Sequence, residues 1–142
     1  MIEIDIKVKK NYLFKYKNAI KCEERIKEKI SDIETKLNSS IKSGDFSKEG
    51  TSSGINTEAP FTRLIAKKEE YENRLKRTQE KSEAIKEELL IVIDKVNNPM
   101  YVEILEGYFI ELKSVEEICK DIDRSQRHWY RLYKSAILSI EI

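Results

Sequence analysis

The segment from Ser114 to Ile137, SVEEICKDIDRSQRHWYRLYKSAI, constrains the fold of this chain more than any other. Ser114 and Glu117 form an S-x-x-E capping box, a pattern that satisfies the free N–H groups at the start of a helix. An apolar stripe at helical spacing follows the box. The stripe consists of Val115, Ile118, Cys119 and Ile122. The segment therefore predicts a short amphipathic helix that ends near Asp123.

A second amphipathic helix follows directly, because Ser125 provides a second N-cap. Its predicted buried face consists of Trp129, Leu132, Ala136, Ile137 and Ile140. Its predicted outer face consists of Gln126, Arg127, His128, Tyr130, Arg131, Tyr133 and Lys134. Two short helices joined by a tight turn make a helix-turn-helix, and the second helix of that motif enters the major groove of DNA. We therefore predict that residues 125–139 form a recognition helix.

The charges of the C-terminal region are unevenly distributed. Residues 99–142 hold six Lys and Arg against eight Asp and Glu, so the region as a whole is net acidic. From residue 124 to residue 140 there is no acid, and the cations there are Arg124, Arg127, Arg131 and Lys134. One helix that faces phosphates and bases would have this polarised charge. An ordinary C-terminal helix, whose cations interact favourably with the helix dipole, would show the same charge pattern.

Residues 101–137 resemble region 4 of sigma-70-type factors. More closely, they resemble a phage-encoded group of small sigma-like regulators related to the ArpU and RinA late-gene regulators. The matching elements are Glu116–Cys119, the Ser125 cap and the run His128–Ala136. The layout is similar too, with a long charged helix, a Ser/Gly-rich gap, and a second long helix that ends just before Pro99. The resemblance implies a DNA-binding transcriptional regulator of phage or prophage origin that contacts RNA polymerase.

The chain departs from the pattern of that family at several turn positions. Asp123 stands where the family tends to have Gly, and Asp tolerates a left-handed backbone better than most residues. Leu112 stands where a Gly often precedes the first helix of the motif. Gln126 and Arg127 stand where sigma region 4 often has Arg and Glu, so the usual promoter element does not carry over.

Two long helices are predicted before the motif, and together they make the fold class all-α. Apolar residues at helical spacing define one stripe, at Tyr12, Tyr16, Ala19, Ile26, Ile30, Ile33 and Leu37. A second stripe consists of Leu64, Tyr71, Leu75, Ile85, Leu89, Val92 and Val96, with Lys68, Thr78 and Ser82 in the same register. The simplest arrangement is a long antiparallel, coiled-coil-like hairpin, followed by the helix-turn-helix domain of sigma region 4 type. The predicted domains are residues 1–98 and residues 99–142.

Two N-terminal features of the sequence leave alternatives open. Residues 1–10 alternate apolar and polar side chains, which favours a strand, yet they have no evident partner strand, so a helical start is the other option. Residues 44–60 are rich in Gly, Ser, Thr and Asn and predict a mobile loop, either a plain linker or a binding loop. Self-association through the long helices would bury more of their weak stripes, which predicts a homodimer.

Composition excludes several classes of function. The chain has 142 residues, 37% of them charged, with only four Gly and two Pro, which indicates a helix-rich protein. No apolar run approaches the length of a membrane span and no signal peptide is visible, so we expect a cytoplasmic protein that does not bind a membrane. Cys22, Cys119 and one His do not suffice for an ordinary zinc site. We therefore expect no metal, no cofactor and no enzymatic activity.

The predicted DNA-binding residues lie on the outer face of the second helix. They are Arg124, Ser125, Gln126, Arg127, His128, Tyr130, Arg131 and Lys134. Arg127 and Arg131 are the candidates for reading guanine edges in double-stranded promoter DNA. Arg124, Tyr130 and Lys134 would hold the phosphate backbone. Two alternatives remain: a non-enzymatic coiled-coil adaptor or assembly protein, and a phage DNA-packaging component that uses the same domain.

Overall fold

The protein is all-α. A computed structural model describes residues 2–42 and 54–142, with side chains described for residues 3–39 and 60–142. Every regular element in those ranges is helical. The elements are α1 (Ile2–Leu13), α2 (Lys15–Lys42), α3 (Gly54–Asp94), α4 (Pro99–Leu105), a π-helical segment (Glu106–Ile110), α5 (Val115–Ile122) and α6 (Gln126–Ser139). Within the described residues, none of these helices is both long and apolar enough to cross a membrane.

The alternating N-terminal segment is a helix. The N–H of Phe14 donates to the carbonyl of Lys10 and the N–H of Asn18 donates to that of Phe14, both at 3.0 Å, so the chain continues from α1 into α2 with only a local break. A period of two distributes apolar residues around a helix instead of on one face. Ile4 and Val8 are accordingly 65% and 54% exposed, whereas Leu13 is fully buried.

The contacts divide the chain into two compact units. One unit comprises residues 21–80, and the other, which we call the end unit, comprises residues 1–20 together with 81–142. This partition differs from the predicted domains, because residues 1–20 and 81–98 join the helix-turn-helix residues in one hydrophobic core. Leu13, Leu89 and Ile93 are all fully buried in that core.

Within the unit of residues 21–80, the described parts of α2 and α3 pair in antiparallel orientation. Lys68 Nζ lies 3.4 Å from a Glu34 carboxylate oxygen, and the ammonium of Lys29 lies 5.6 Å from the ring centre of Tyr71. Residue numbers thus increase along α2 as they decrease along α3, as the hairpin prediction requires. Ile26 and Ile33 are buried, while the predicted second stripe (Leu64, Lys68, Tyr71, Leu75 and Thr78) is half-buried.

The same antiparallel pairing occurs in the end unit, where the Tyr12 hydroxyl donates to a Glu88 carboxylate oxygen at 2.9 Å. Burial, followed by the hydrogen bond to Glu88 and the charge of that carboxylate, raises the pKa of Tyr12. In the same unit, α4 runs into the π-helical segment. There Gly107 brings the backbone close to α5, since a Cβ at this position would lie 3.3 Å from Cγ1 of Ile118.

Part of the predicted loop at residues 44–60 is helical, because α3 begins at Gly54 and includes Pro60. The ring of Pro60 holds φ near its helical value. Its missing N–H removes one hydrogen bond from a helix of 41 residues, so a proline and several turn-forming residues do not prevent the helix here. The rest of the predicted loop lies outside the described residues.

Candidate nucleic-acid interface

The first helix of the motif is bounded by the capping groups that its sequence predicts. The Ser114 hydroxyl accepts a hydrogen bond from the N–H of Glu117 at 3.2 Å, which starts α5. The helix ends at Asp123, whose φ of 54° and ψ of 53° are left-handed. The N–H of Arg124 then donates to the carbonyl of Cys119 at 3.0 Å and closes the helix end. Asp123 therefore adopts the left-handed backbone that aspartate tolerates better than most residues.

Leu112 has a left-handed backbone as well, with φ of 55°. Among the described residues other than glycine, only Leu112 and Asp123 have positive φ. They are the two positions at which the resembling family tends to have Gly. A β-carbon makes this conformation costly, so packing must hold it in place. The half-buried side chain of Leu112 packs against the hydrophobic core.

The second helix begins as predicted at Ser125, whose hydroxyl accepts a hydrogen bond from the N–H of His128 at 3.2 Å. The eight predicted DNA-binding residues are all exposed. They are Arg124, Ser125, Gln126, Arg127, His128, Tyr130, Arg131 and Lys134. They occupy the turn before α6 and one face of its first nine residues, so the fold brings them onto one surface.

The cations of this surface are not neutralised by the described part of the chain. No carboxylate among those residues lies within 4.0 Å of the four basic side chains at positions 124, 127, 131 and 134. Lys134 lies 4.9 Å from the ring centre of Tyr130. Lys113, on the turn before α5, contrasts with them, because it pairs with Glu111 at 3.0 Å and with Asp121 at 2.9 Å. These two hydrogen-bonded carboxylates raise the pKa of Lys113.

The predicted buried face of α6 is largely confirmed. Trp129, Ala136, Ile137 and Ile140 are buried, and Leu132 is half-buried. The outward placement of Tyr133 was wrong, since this side chain is only 6% exposed. Tyr133 stacks on Trp129, with ring centres 4.7 Å apart and an interplanar angle of 18°. Burial raises its pKa. Residues i and i+4 share a helix face, so the spacing from Trp129 was the available signal.

An aromatic cluster packs against the buried side of α6. The rings of Tyr108 and Phe109 pack edge-to-face at 5.0 Å, and Phe14 packs edge-to-face on Phe109 at the same distance. Tyr108 also lies 5.6 Å from Trp129 and 5.2 Å from Tyr133. The N-terminal helices thus contribute directly to the position of α6, which the sequence did not predict.

Two lysines of the N-terminal helices flank this cluster, and neither was predicted as a site residue. Lys10 Nζ lies 6.0 Å from the ring centre of Tyr133, and Lys17 Nζ lies 6.0 Å from that of Tyr108. The signal that was available is a second acid-free stretch, from residue 6 to residue 22. Only tertiary contact shows that this stretch lies beside α6.

The surface offers no evident site for a metal ion. Nowhere in the described ranges do three potential ligands from His, Cys, Asp and Glu come together. Cys119 is buried between helices, and its burial raises the pKa of the thiol, whereas Cys22 is exposed. The described surface presents cations, amides and hydroxyls, which are groups that can bind an anion or a polyanion.

Comparison with known proteins identifies one family. Residues 40–141 match the family model described as "Protein of unknown function (DUF1492)". The match includes α3 and the helix-turn-helix, and it leaves α1 and most of α2 outside. No curated protein matches the chain, and no solved structure does. Because the matched segment covers well over half of the sequence, the chain belongs to the DUF1492 family.

Proposed function

We propose that this protein is a DNA-binding transcriptional regulator of phage or prophage origin, similar to region 4 of sigma factors. The observation that carries the proposal is the exposed face of α6. Eight polar or aromatic side chains are exposed on this face and on the turn before it. Their cations have no carboxylate partner among the described residues, and the apolar face behind them is buried in a core. Double-stranded DNA is the polyanion that such a helix fits.

In this proposal the N-terminal half of α6 lies in the major groove. Arg127 and Arg131 are one helical turn apart, so both face the same stretch of base edges. The guanidinium group forms paired hydrogen bonds with O6 and N7 of guanine, which makes these two residues the base-reading candidates. Ser125, Gln126 and His128 lie at the start of the helix, within reach of base edges or of the nearest phosphate.

Phosphate contacts would fix the register of the helix on the duplex. Arg124 precedes the helix, and Tyr130 and Lys134 flank its groove-facing side, so these three side chains are proposed to hold the sugar–phosphate backbone. The net acidic character of residues 99–142 supports a binding mode that depends on one helix and not on overall charge. Contact with RNA polymerase and a cytoplasmic location belong to the same proposal, and the resemblance to sigma region 4 supports them.

The test uses the full chain and a library of random-sequence DNA duplexes. Selection should enrich a defined sequence, and binding of that duplex should weaken as salt rises, with a log–log slope of roughly −2 or steeper, because Arg124 and Lys134 each meet a phosphate. Arg127→Ala and Arg131→Ala should each reduce the binding free energy by about 1–3 kcal/mol and relax the preference at one base pair. Arg77→Ala, which removes an exposed arginine of α3, serves as the matched control.

Two results would count against the proposal. One is the absence of any salt-dependent binding of the selected or random duplexes by the wild-type protein. The other is equal binding by the Arg127→Ala, Arg131→Ala and Arg77→Ala variants. Either result would favour the adaptor interpretation, in which the helix-turn-helix is only a helical platform.

A further inference from the structure

The N-terminal part of the end unit is as acid-free as the recognition helix. Between residue 6 and residue 20 there are five lysines and no Asp or Glu. These lysines are Lys7, Lys9, Lys10, Lys15 and Lys17. These residues lie outside the segment that matches the family model.

The fold places this basic stretch against α6. Helix α1 contacts α6 directly, and Lys9 Nζ donates to the carbonyl of Leu138 at 2.9 Å, near the end of α6. Lys10, which is exposed, points to the ring of Tyr133 at 6.0 Å. Lys17 lies 5.7 Å from the ring centre of Phe14 and 6.0 Å from that of Tyr108. Two sequence-distant cationic stretches thus become neighbours.

A continuous chain of contacts connects the two cationic groups. From Lys10 the contacts lead to Tyr133, whose ring centre is 6.3 Å from that of Tyr130, and Lys134 lies 4.9 Å from Tyr130. No carboxylate of the described residues lies within 4.0 Å of Lys10 or Lys17. Cations gathered without a counter-charge repel one another, and a polyanion would relieve that repulsion.

We propose that Lys10 and Lys17 bind phosphates of the DNA backbone beside the groove that α6 occupies. This inference rests on the proposed function, since it adds a flanking contact to the same complex. A lysine is a compact point charge on a flexible stem, which suits phosphate better than the paired contacts of base recognition. The N-terminal helix therefore strengthens binding without reading sequence.

The experiment measures the salt dependence of binding to the duplex selected by the wild-type protein. Lys10→Gln/Lys17→Gln removes both charges and keeps most of each stem. Lys27→Gln/Lys76→Gln removes two exposed lysines from residues 21–80 and gives the same change in net charge. Lys10→Arg/Lys17→Arg retains the cations. Circular dichroism and thermal unfolding establish that each variant is folded.

The expected result is a log–log salt slope that is smaller in magnitude by roughly 1–2 units for Lys10→Gln/Lys17→Gln, since each phosphate contact contributes about 0.9. Its base preferences in a second selection should equal those of the wild type. The Lys27→Gln/Lys76→Gln and Lys10→Arg/Lys17→Arg variants should keep the wild-type slope. Hydroxyl-radical footprinting of the wild type should show protected sugars beyond the base pairs that Arg127 and Arg131 specify.

An unchanged slope in the Lys10→Gln/Lys17→Gln variant, with Arg127→Ala still impaired, would overturn this inference and leave the proposed function intact. A wild-type footprint confined to the base pairs under α6 would also overturn this inference and leave the proposed function intact. This measurement does not depend on the folding of any variant. A wild-type protein that binds no duplex would overturn both. Altered base preferences in the glutamine variant would also overturn the inference, because they would give these lysines a role in reading sequence.

Discussion

The two compact units bury their apolar residues to very different extents. In residues 21–80, the buried hydrophobic side chains among the described residues are Ile26 and Ile33, and the rest of the stripe is half-exposed. In the end unit, sixteen buried hydrophobic side chains form one core that includes residues of α1 to α6. A helix pair can cover only the line along which its members meet. Short helices packed across the ends of such a pair close the core on further sides.

The same contrast holds for local signals. Each helix of the motif in the end unit begins at a serine whose hydroxyl caps it, and the turn between those helices has a residue with a left-handed backbone. The section of the hairpin in residues 21–80 depends instead on one long apolar stripe interrupted by Lys68 and Thr78. Local caps and a closed core therefore coincide in the unit that presents the candidate site.

The largest expected effect on the free energy of unfolding comes from a leucine-to-alanine substitution, made once in each unit. Leu13→Ala removes a fully buried side chain and should lower the free energy of unfolding by about 2–5 kcal/mol. Leu75→Ala removes a half-buried one and should lower it by about 1 kcal/mol, because less apolar surface returns to water. Urea unfolding, followed by amide hydrogen exchange in each unit, measures both. Equal losses would mean that the two units do not differ in packing.

A smaller effect should follow from repairing the weak stripe of residues 21–80. Lys68→Leu should raise the free energy of unfolding by about 1 kcal/mol, because leucine buries more apolar surface against α2. The bridge that it loses, between half-exposed Lys68 and Glu34, contributes less than about 1 kcal/mol. Lys76→Leu, at an exposed position of α3, controls for leucine itself. Amide hydrogen exchange in α2 should slow in Lys68→Leu and stay unchanged in Lys76→Leu. Slower exchange in both variants would show that the position within the apolar stripe is not the cause.

The smallest expected effect comes from Glu106, a carboxylate of the end unit whose environment disfavours its charge. Burial, and then the charges of Asp94 and Glu111, raises the pKa of Glu106 above its ordinary value of 4.5. The folded state therefore binds this proton more tightly than the unfolded chain, and stability falls as pH rises through the window above 4.5. Glu106→Gln should be more stable than the wild type at pH 7, by less than about 1 kcal/mol.

The difference between wild type and Glu106→Gln should vanish as pH falls below 4.5, where the carboxyl is protonated in both states. Thermal unfolding across pH 4–8 measures it, with Glu103→Gln, at an exposed position of α4, as the matched control. A difference that does not change with pH would show that the amide acts through hydrogen bonding and not through the removal of charge.

Much of the site could be predicted because its determinants are local. The caps at Ser114 and Ser125, the turn at Asp123 and the burial of Trp129 each depend on residues within one or two helical turns. The outward placement of Tyr133 was wrong, because its spacing of four residues from Trp129 places both rings on the buried face. The sequence pattern thus identified the exposed surface more reliably than the limits of the core behind it.

Features that depend on sequence-distant packing could not be predicted in this way. The period-two pattern of residues 1–10 left strand and helix open, and the contact with α6 is what gives that segment a partner. The π-helical segment after α4 has no distinct periodicity in the sequence. Likewise, Lys10 and Lys17 became candidates only once the fold brought them beside Tyr133 and Tyr108.

The contact between Lys9 and Leu138 has a consequence for the order of events during synthesis. These residues are 129 positions apart, so the ribosome needs roughly 6 to 26 seconds to make the chain between them at ordinary elongation rates. Throughout that interval α1 lacks its contact with α6. Helix α1 therefore reaches its final packing only after α6 emerges from the ribosome, and an arrest of translation before α6 would leave the side of α1 that contacts α6 available to chaperones.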